Sequence, residues 1–94
     1  MRKYELMVLL QPDLEEAALE EVTNKITGWV TDSGGTVDKV SDWGIRRMAY
    51  LIKNQRDSHY ILFDLSLLPA STRELNRNIR FIEPVMRHML SVVE

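Results

Sequence analysis

The run Asp42 to Lys53 sets two adjacent arginines, Arg46 and Arg47, beside the alternating residues Met48, Tyr50 and Ile52. Alternation of this kind describes a strand, and a guanidinium keeps its charge at any physiological pH while its planar fork of donors fits phosphate oxygens in pairs. The segment therefore predicts a strand that also binds an anion. Other chemistry is poorly supplied. His59 and His88 stand apart from any short ligand motif, and no glycine-rich phosphate cradle occurs. Asp57, Ser58 and His59 hold the residue types of a hydrolytic triad, but as neighbours in a predicted turn they have no reason to converge. With no cysteine there is no disulfide framework, thiol nucleophile or thiolate metal site. No catalytic residue, metal or cofactor is expected.

The 94 residues suffice for a single domain over 1–94 with one small core, and 45% hydrophobic with 28% charged residues describes a globular chain. No apolar run approaches the roughly 20 residues that span a bilayer. Arg2, Lys3 and Glu5 occupy the place where a signal peptide would begin its apolar stretch, so a cytoplasmic location and no membrane partner are expected. The net charge of −2 is unevenly distributed. Residues 1–38 hold three Lys/Arg against eight Asp/Glu, whereas residues 39–94 hold nine against six. Such asymmetry suits docking on a structured RNA better than indiscriminate coating of it, although ordinary surface charge accounts for it as well.

The elements that must position these residues follow from periodicity. Lys3 to Gln11 is strand-like, with Tyr4, Leu6, Val8 and Leu10 on one side and Lys3, Glu5, Met7 and Leu9 on the other. Asp13 with Glu16 predicts a capping box for a helix whose apolar face is Ala18, Val22, Ile26 and Val30, and Gly34 with Gly35 ends it. Val37 to Lys53 changes apolar parity midway, which predicts a bulge or bend between Ser41 and Gly44. Asn54 to Ser58 reads as a hairpin loop, after which Ile61, Phe63, Leu65 and Leu67 alternate with Tyr60, Leu62, Asp64 and Ser66. Ser71 with Glu74 predicts a second capping box, on a helix that turns Leu75, Ile79 and Ile82 inward and Arg73, Arg77 and Arg80 to solvent. Pro84 precedes a last strand, Val85 to Val93. The order strand, helix, strand, strand, helix, strand is the ferredoxin-like βαββαβ arrangement: an α+β fold with a four-stranded antiparallel sheet and both helices on one face.

Two functions hosted by this arrangement fit poorly. An acylphosphatase would hold phosphate in the loop after the first strand, but Gln11, Pro12 and Asp13 offer a carboxylate there and neither glycine nor arginine. A base-stacking RNA module needs aromatic platforms on its two central strands, where Met7, Leu9, Tyr60 and Leu62 do not provide a pair. What remains is binding of folded RNA through its backbone.

The signature Gly44, Arg46, Arg47, Ala49, Tyr50, Ile52 resembles that of the bacterial small-subunit ribosomal protein six family. The likeness extends over essentially the whole chain: Met1 to Glu5, Gln11 to Asp13, His59 with Tyr60, Pro69, and Val85 with Arg87. Met48 stands where leucine is usual, and Leu51 where proline often follows the tyrosine; both exchanges are compatible with a strand. The resemblance implies a structural ribosomal component, not an enzyme, that binds the central domain of 16S ribosomal RNA together with ribosomal protein eighteen and assists subunit assembly. By position it implies RNA contacts from Arg2, Lys3, Tyr4, Arg46, Arg47 and Arg87. Tyr50, by its parity, is expected to be half-buried. Met7, Leu9 and Met89 share the parity of charged residues, and are expected to form the apolar patch that the partner protein covers, the chain being a monomer when free. The alternative from a different class is a ferredoxin-like regulatory module for a small ligand.

Overall fold

The computed structural model describes residues 1–93. Strand β1 (Arg2–Leu10) leads into helix α1 (Glu16–Asp32), followed by the long hairpin of β2 (Thr36–Ile52) and β3 (Gln55–Leu67). A single 3₁₀ turn (Pro69–Ser71) enters helix α2 (Thr72–Arg80), and β4 (Val85–Val92) closes the chain. The sheet order is β2-β3-β1-β4 with every pairing antiparallel, the ferredoxin-like α+β arrangement expected from the order of elements. Leu6 lies between Phe63 and Leu90 in register, so β1 is central and its alternate residues are sealed from both sides.

One face of the sheet is covered by both helices. Tyr4, Leu6, Val8 and Leu10 of β1 and Ile61, Phe63, Leu65 and Leu67 of β3 meet Val22, Ile26 and Val30 of α1 and Leu75 and Ile79 of α2 in one core. Phe63 is only 1% exposed. Gly35 makes the entry to β2 possible, since a Cβ there would stand 2.6 Å from the Ser66 carbonyl oxygen.

Both capping boxes fail. α1 begins at Glu16 behind an extended Glu15 whose carbonyl accepts from Ala18 and Leu19 N–H, with no side-chain cap. Leu14 packs against the core, and this anchor delays the helix beyond the reach of Asp13. At α2 the 3₁₀ turn runs directly into the helix, leaving Ser71 helical rather than extended; Thr72 Oγ1 instead donates to the Pro69 carbonyl at 2.8 Å. The expected loop over Asn54 to Ser58 is also corrected. Lys53 and Asn54 take left-handed φ angles of 50° and 64° and form a two-residue turn that matches the strand twist, so Gln55 to Ser58 belong to β3.

The hairpin is longer than the sheet it belongs to. β1 ends opposite His59, so the ladder between Arg46 and Gln55 projects past it. There the tip folds back across the open face, because β2 side chains reach β4 over the two strands between them. Met48 joins Leu9 and Met86 in a second cluster flanked by Met7, Ile52 and Tyr60. The buried Ser58 hydroxyl lies 3.2 Å from the sulfur of Met48 and 3.3 Å from that of Met86. Lys53 Nζ donates to the Val85 carbonyl at 3.4 Å.

Candidate nucleic-acid interface

The bend expected between Ser41 and Gly44 is present as a register shift between Asp42 and Gly44, with Gly44 at φ 76°, a conformation that a side chain would disfavour. Asp42 braces it. One carboxylate oxygen accepts from the Gly44 amide at 2.8 Å and stands 2.6 Å from His59 Nε2 on the neighbouring strand. Partial burial works against the charged carboxylate, but the Gly44 amide and the His59 ring outweigh it and hold the Asp42 carboxyl below its ordinary range. His59 is thus a structural partner of the bulge. His88 meets Asn76 Oδ1 at 3.1 Å, and burial first, then the Arg80 charge, lowers its pKa.

Just past the bulge, the Arg46 guanidinium lies 5.1 Å from the centroid of the Trp43 ring, and its Nε donates to the Trp43 carbonyl at 3.4 Å. Trp43 is 42% exposed, so the ring orients the cation without burying it. Arg46 pairs with Ser58 and Arg47 with Asp57; successive residues of a strand address opposite faces. Arg46 therefore shares the face of Met48, while Arg47 points the other way, and the two straddle the edge rather than forming one clamp. Arg87, opposite Leu9 on β4, donates to the Tyr50 hydroxyl, which ties the hairpin tip to the far edge of the sheet. Tyr50 is 59% exposed, so its expected half-burial is corrected: the hydroxyl is held, and the ring stays open to solvent.

The remaining expected site residues fall elsewhere. Arg2 and Lys3 start β1, opposite Leu67 and Ser66, at the far end of the strand from Leu9 and Arg87. Lys3 shares that end with acidic groups. Asp38 accepts from Ser66 Oγ at 2.7 Å and Thr36 Oγ1 at 2.9 Å, and these bonds, with a smaller contribution from the Lys3 charge, keep its carboxyl below the ordinary range despite desolvation. Glu5 and Asp64 are paired across β1 and β3 beside it. Tyr4 is corrected from surface to core: it is 5% exposed and packed under the helices. Leu9 is likewise removed from the exposed patch, being 4% exposed beneath Met48 and Met86. Met7 and Met89 face each other across β1 and β4, with Leu62 on the other side of Met7, and form an apolar band between the acidic end and the basic hairpin end.

The sequence reading missed Trp43, Lys53 and the Asp42–His59 brace. Only the place of Trp43 three residues before Arg46, beside a glycine suited to a bulge, hinted at the first. Among the described residues no three His, Asp or Glu side chains converge as a metal site, and no helix is long and apolar enough to cross a membrane.

Comparison with known proteins bears on the family and the fold. A family model described as Ribosomal protein S6 matches residues 3–91. The small ribosomal subunit protein bS6 of Symbiobacterium thermophilum is 40% identical over 90 residues, covering 96% of this chain and 95% of its own. That of Acidothermus cellulolyticus is 42% identical over 90 residues, covering 96% and 94%. Among solved structures, 30S ribosomal protein S6 of Thermotoga maritima superposes with a TM-score of 0.89 at 24% identity, over 97% of this chain and 86% of that one. The P2 domain of the chemotaxis kinase CheA, at a TM-score of 0.63 and 10% identity over 98% of each chain, shares the fold alone. With a family match over residues 3–91 and relatives aligned along nearly their whole length, the chain belongs to the ribosomal protein S6 family of the small ribosomal subunit, a family of structural components and not of enzymes.

Proposed function

We propose that this protein binds 16S ribosomal RNA in the cytoplasm through the hairpin end of its sheet, as a free monomer that joins ribosomal protein S18 during assembly of the small subunit. The observation that carries the reading is the placement of exposed Arg46 against Trp43 on the braced hairpin and of exposed Arg87 on β4 against Tyr50 of the hairpin tip, with Arg47 next along β2 on its opposite face. Each is oriented by an aromatic residue or by the strand itself, and the guanidinium donors not used in holding Arg46 and Arg87 remain for phosphate. Long flexible side chains held in this way lose less entropy on binding than free ones. Arg2 and Lys3 add cations at the opposite end of β1, at a distance that suits a second stretch of the same RNA.

The Met7–Met89 band supports the partner half of the reading. Methionines on an open sheet face present an adaptable apolar surface, and a second protein seated there would hold the same RNA as the neighbouring arginines, so that the pair binds more tightly than either alone.

Titration of a central-domain 16S RNA fragment, with and without S18, tests both halves. Arg46→Glu with Arg47→Glu is expected to weaken binding and to reduce the log-affinity against log-salt slope by about 0.7–0.9 per lost phosphate contact. Met7→Glu with Met89→Glu is expected to remove the gain that S18 provides. An unchanged salt slope in the folded arginine variant would sink the RNA assignment. Undiminished S18 binding by the methionine variant would move the partner surface elsewhere.

A further inference from the structure

The arginines of α2 lie on the other side of the sheet from Arg87 and Tyr50. At 3.6 residues per turn, Arg73, Arg77 and Arg80 fall within a stripe about 60° wide, across the helix from the buried Leu75 and Ile79. All three are exposed, and among the described residues none forms an ion pair with a carboxylate, although Glu74 is close along the helix. Phe81, the first residue past the helix, continues the stripe. It is 77% exposed, more than any other large apolar residue described. A shallow recess lined by Ala70, Arg73, Glu74, Arg77, Asn78 and Phe81 joins ring to cations.

Helix-dipole compensation explains only part of this. Cations in the last turn are favourable, which accounts for Arg77 and Arg80. Arg73 occupies the first turn, where a positive charge opposes the dipole, and Phe81 gains nothing from water. An acidic peptide would neutralise the charges but has no use for an uncovered ring at their end. A nucleic acid strand uses both: its phosphates meet the guanidinium groups, and a base offers a π-face to the phenyl ring.

We infer that the outer face of α2 is a second RNA-binding surface, which takes a single-stranded stretch along Arg73, Arg77 and Arg80 with one base stacked on Phe81. The inference rests on the reading of this chain as an RNA-binding ribosomal component and extends it: the protein bridges two RNA segments, one at the hairpin and one behind the helices.

The test uses the full chain and a short labelled oligouridylate, followed by fluorescence anisotropy and by ultraviolet crosslinking with peptide mapping. A crosslink at Phe81 is expected, with a five- to tenfold loss of affinity in Phe81→Ala, roughly what one base–aromatic stack supplies. Arg73→Glu with Arg77→Glu is expected to weaken binding further and to lower the salt slope by about 0.7 per contact. Lys39→Glu, set against the single reversal Arg77→Glu, makes the same change in net charge away from α2 and is expected to have the smaller effect. Where the reversed charges unfold the helix, as judged by circular dichroism, Arg73→Gln with Arg77→Gln replaces them. Equal loss in the lysine control, unchanged affinity in Phe81→Ala, crosslinks confined to the hairpin, or preference for oligoglutamate over oligouridylate would each overturn the inference. Arg46→Glu with Arg47→Glu, titrated with the central-domain fragment, reports on the hairpin alone. Loss there while the α2 variants bind normally sinks this second surface and keeps the first; the opposite pattern does the reverse.

Discussion

Phe63 and Leu9 are both nearly fully buried strand residues on the two central strands, yet what covers them differs in kind. Above Phe63 lie two helices that present Val22, Ile26, Leu75 and Ile79, branched side chains with few rotamers. Above Leu9 lies the sheet's own hairpin tip, which presents Met48 beside Met86, two flexible thioethers that share the hydroxyl of Ser58. The helix-covered cluster holds the fold together. The methionine cluster is too small for that and instead fixes the pose of the hairpin, hence the places of Arg46, Tyr50 and Arg87. Stability and the geometry of the proposed site thereby fall to opposite faces of one sheet and can be perturbed separately.

The largest effect is expected from Phe63→Ala, at roughly 3–5 kcal/mol of unfolding free energy, because a cavity under two helices cannot collapse. A denaturant midpoint close to that of the parent chain would show that the helix-covered face does not dominate stability. Met48→Ala should cost less, about 1–2 kcal/mol, at or below the low end of the range for buried Met→Ala changes, since the rim of its cluster can admit water. Its more telling consequence is a drop in RNA affinity in buffer where the chain is still folded. Were Met48→Ala as destabilising as Phe63→Ala and without effect on RNA beyond unfolding, the division of labour between the faces would fail.

Smaller changes sharpen the same contrast. Trp43→Ala removes an exposed cation–π contact worth about 0.5–1 kcal/mol, and should change the salt dependence of RNA binding more visibly than thermal stability. The Asp42 brace is smaller again. Its folded-state pKa lies below the ordinary 3.8, so the stability it contributes is complete above that value and is lost as pH falls through the lowered folded value. The side chain is 58% exposed, and after screening by solvent the effect should stay below about 1 kcal/mol. Urea midpoints taken through the acid limb should fall less steeply for Asp42→Asn than for the parent; parallel limbs would remove Asp42 from the brace.

Periodicity made the helix-covered face legible. Tyr4, Leu6, Val8 and Leu10 and the set from Ile61 to Leu67 alternate strictly, and Gly44 marked the bulge in β2 because few other residues suit the bend there. The hairpin tip was not legible, since the meeting of Met48 with Met86 and of Tyr50 with Arg87 depends on twist accumulated over a ladder longer than its neighbours. Leu9 carried the parity of an exposed residue and was buried by a segment some forty positions away. Tyr4 shows the opposite error: its alternation placed it inside, and resemblance alone had moved it to the surface. The failed capping boxes show a local motif yielding to its surroundings, at Leu14 through packing and at Ser71 through the preceding 3₁₀ turn.

The central position of β1 also bears on how the chain comes to be folded. Leu6 finds its two flanking partners in Phe63 and Leu90, so the first strand to leave the ribosome that synthesises it is flanked by strands made much later. Helix α1 can form locally in the meantime, but the loop closures that flank β1 wait for distant sequence, and chains with many such pairings fold more slowly than helical ones of similar size. Until β4 arrives, one edge of β1 stays open, with its apolar residues and unpaired amides exposed to other chains. For this protein the interval between synthesis and closure is therefore the period of greatest risk of misassociation.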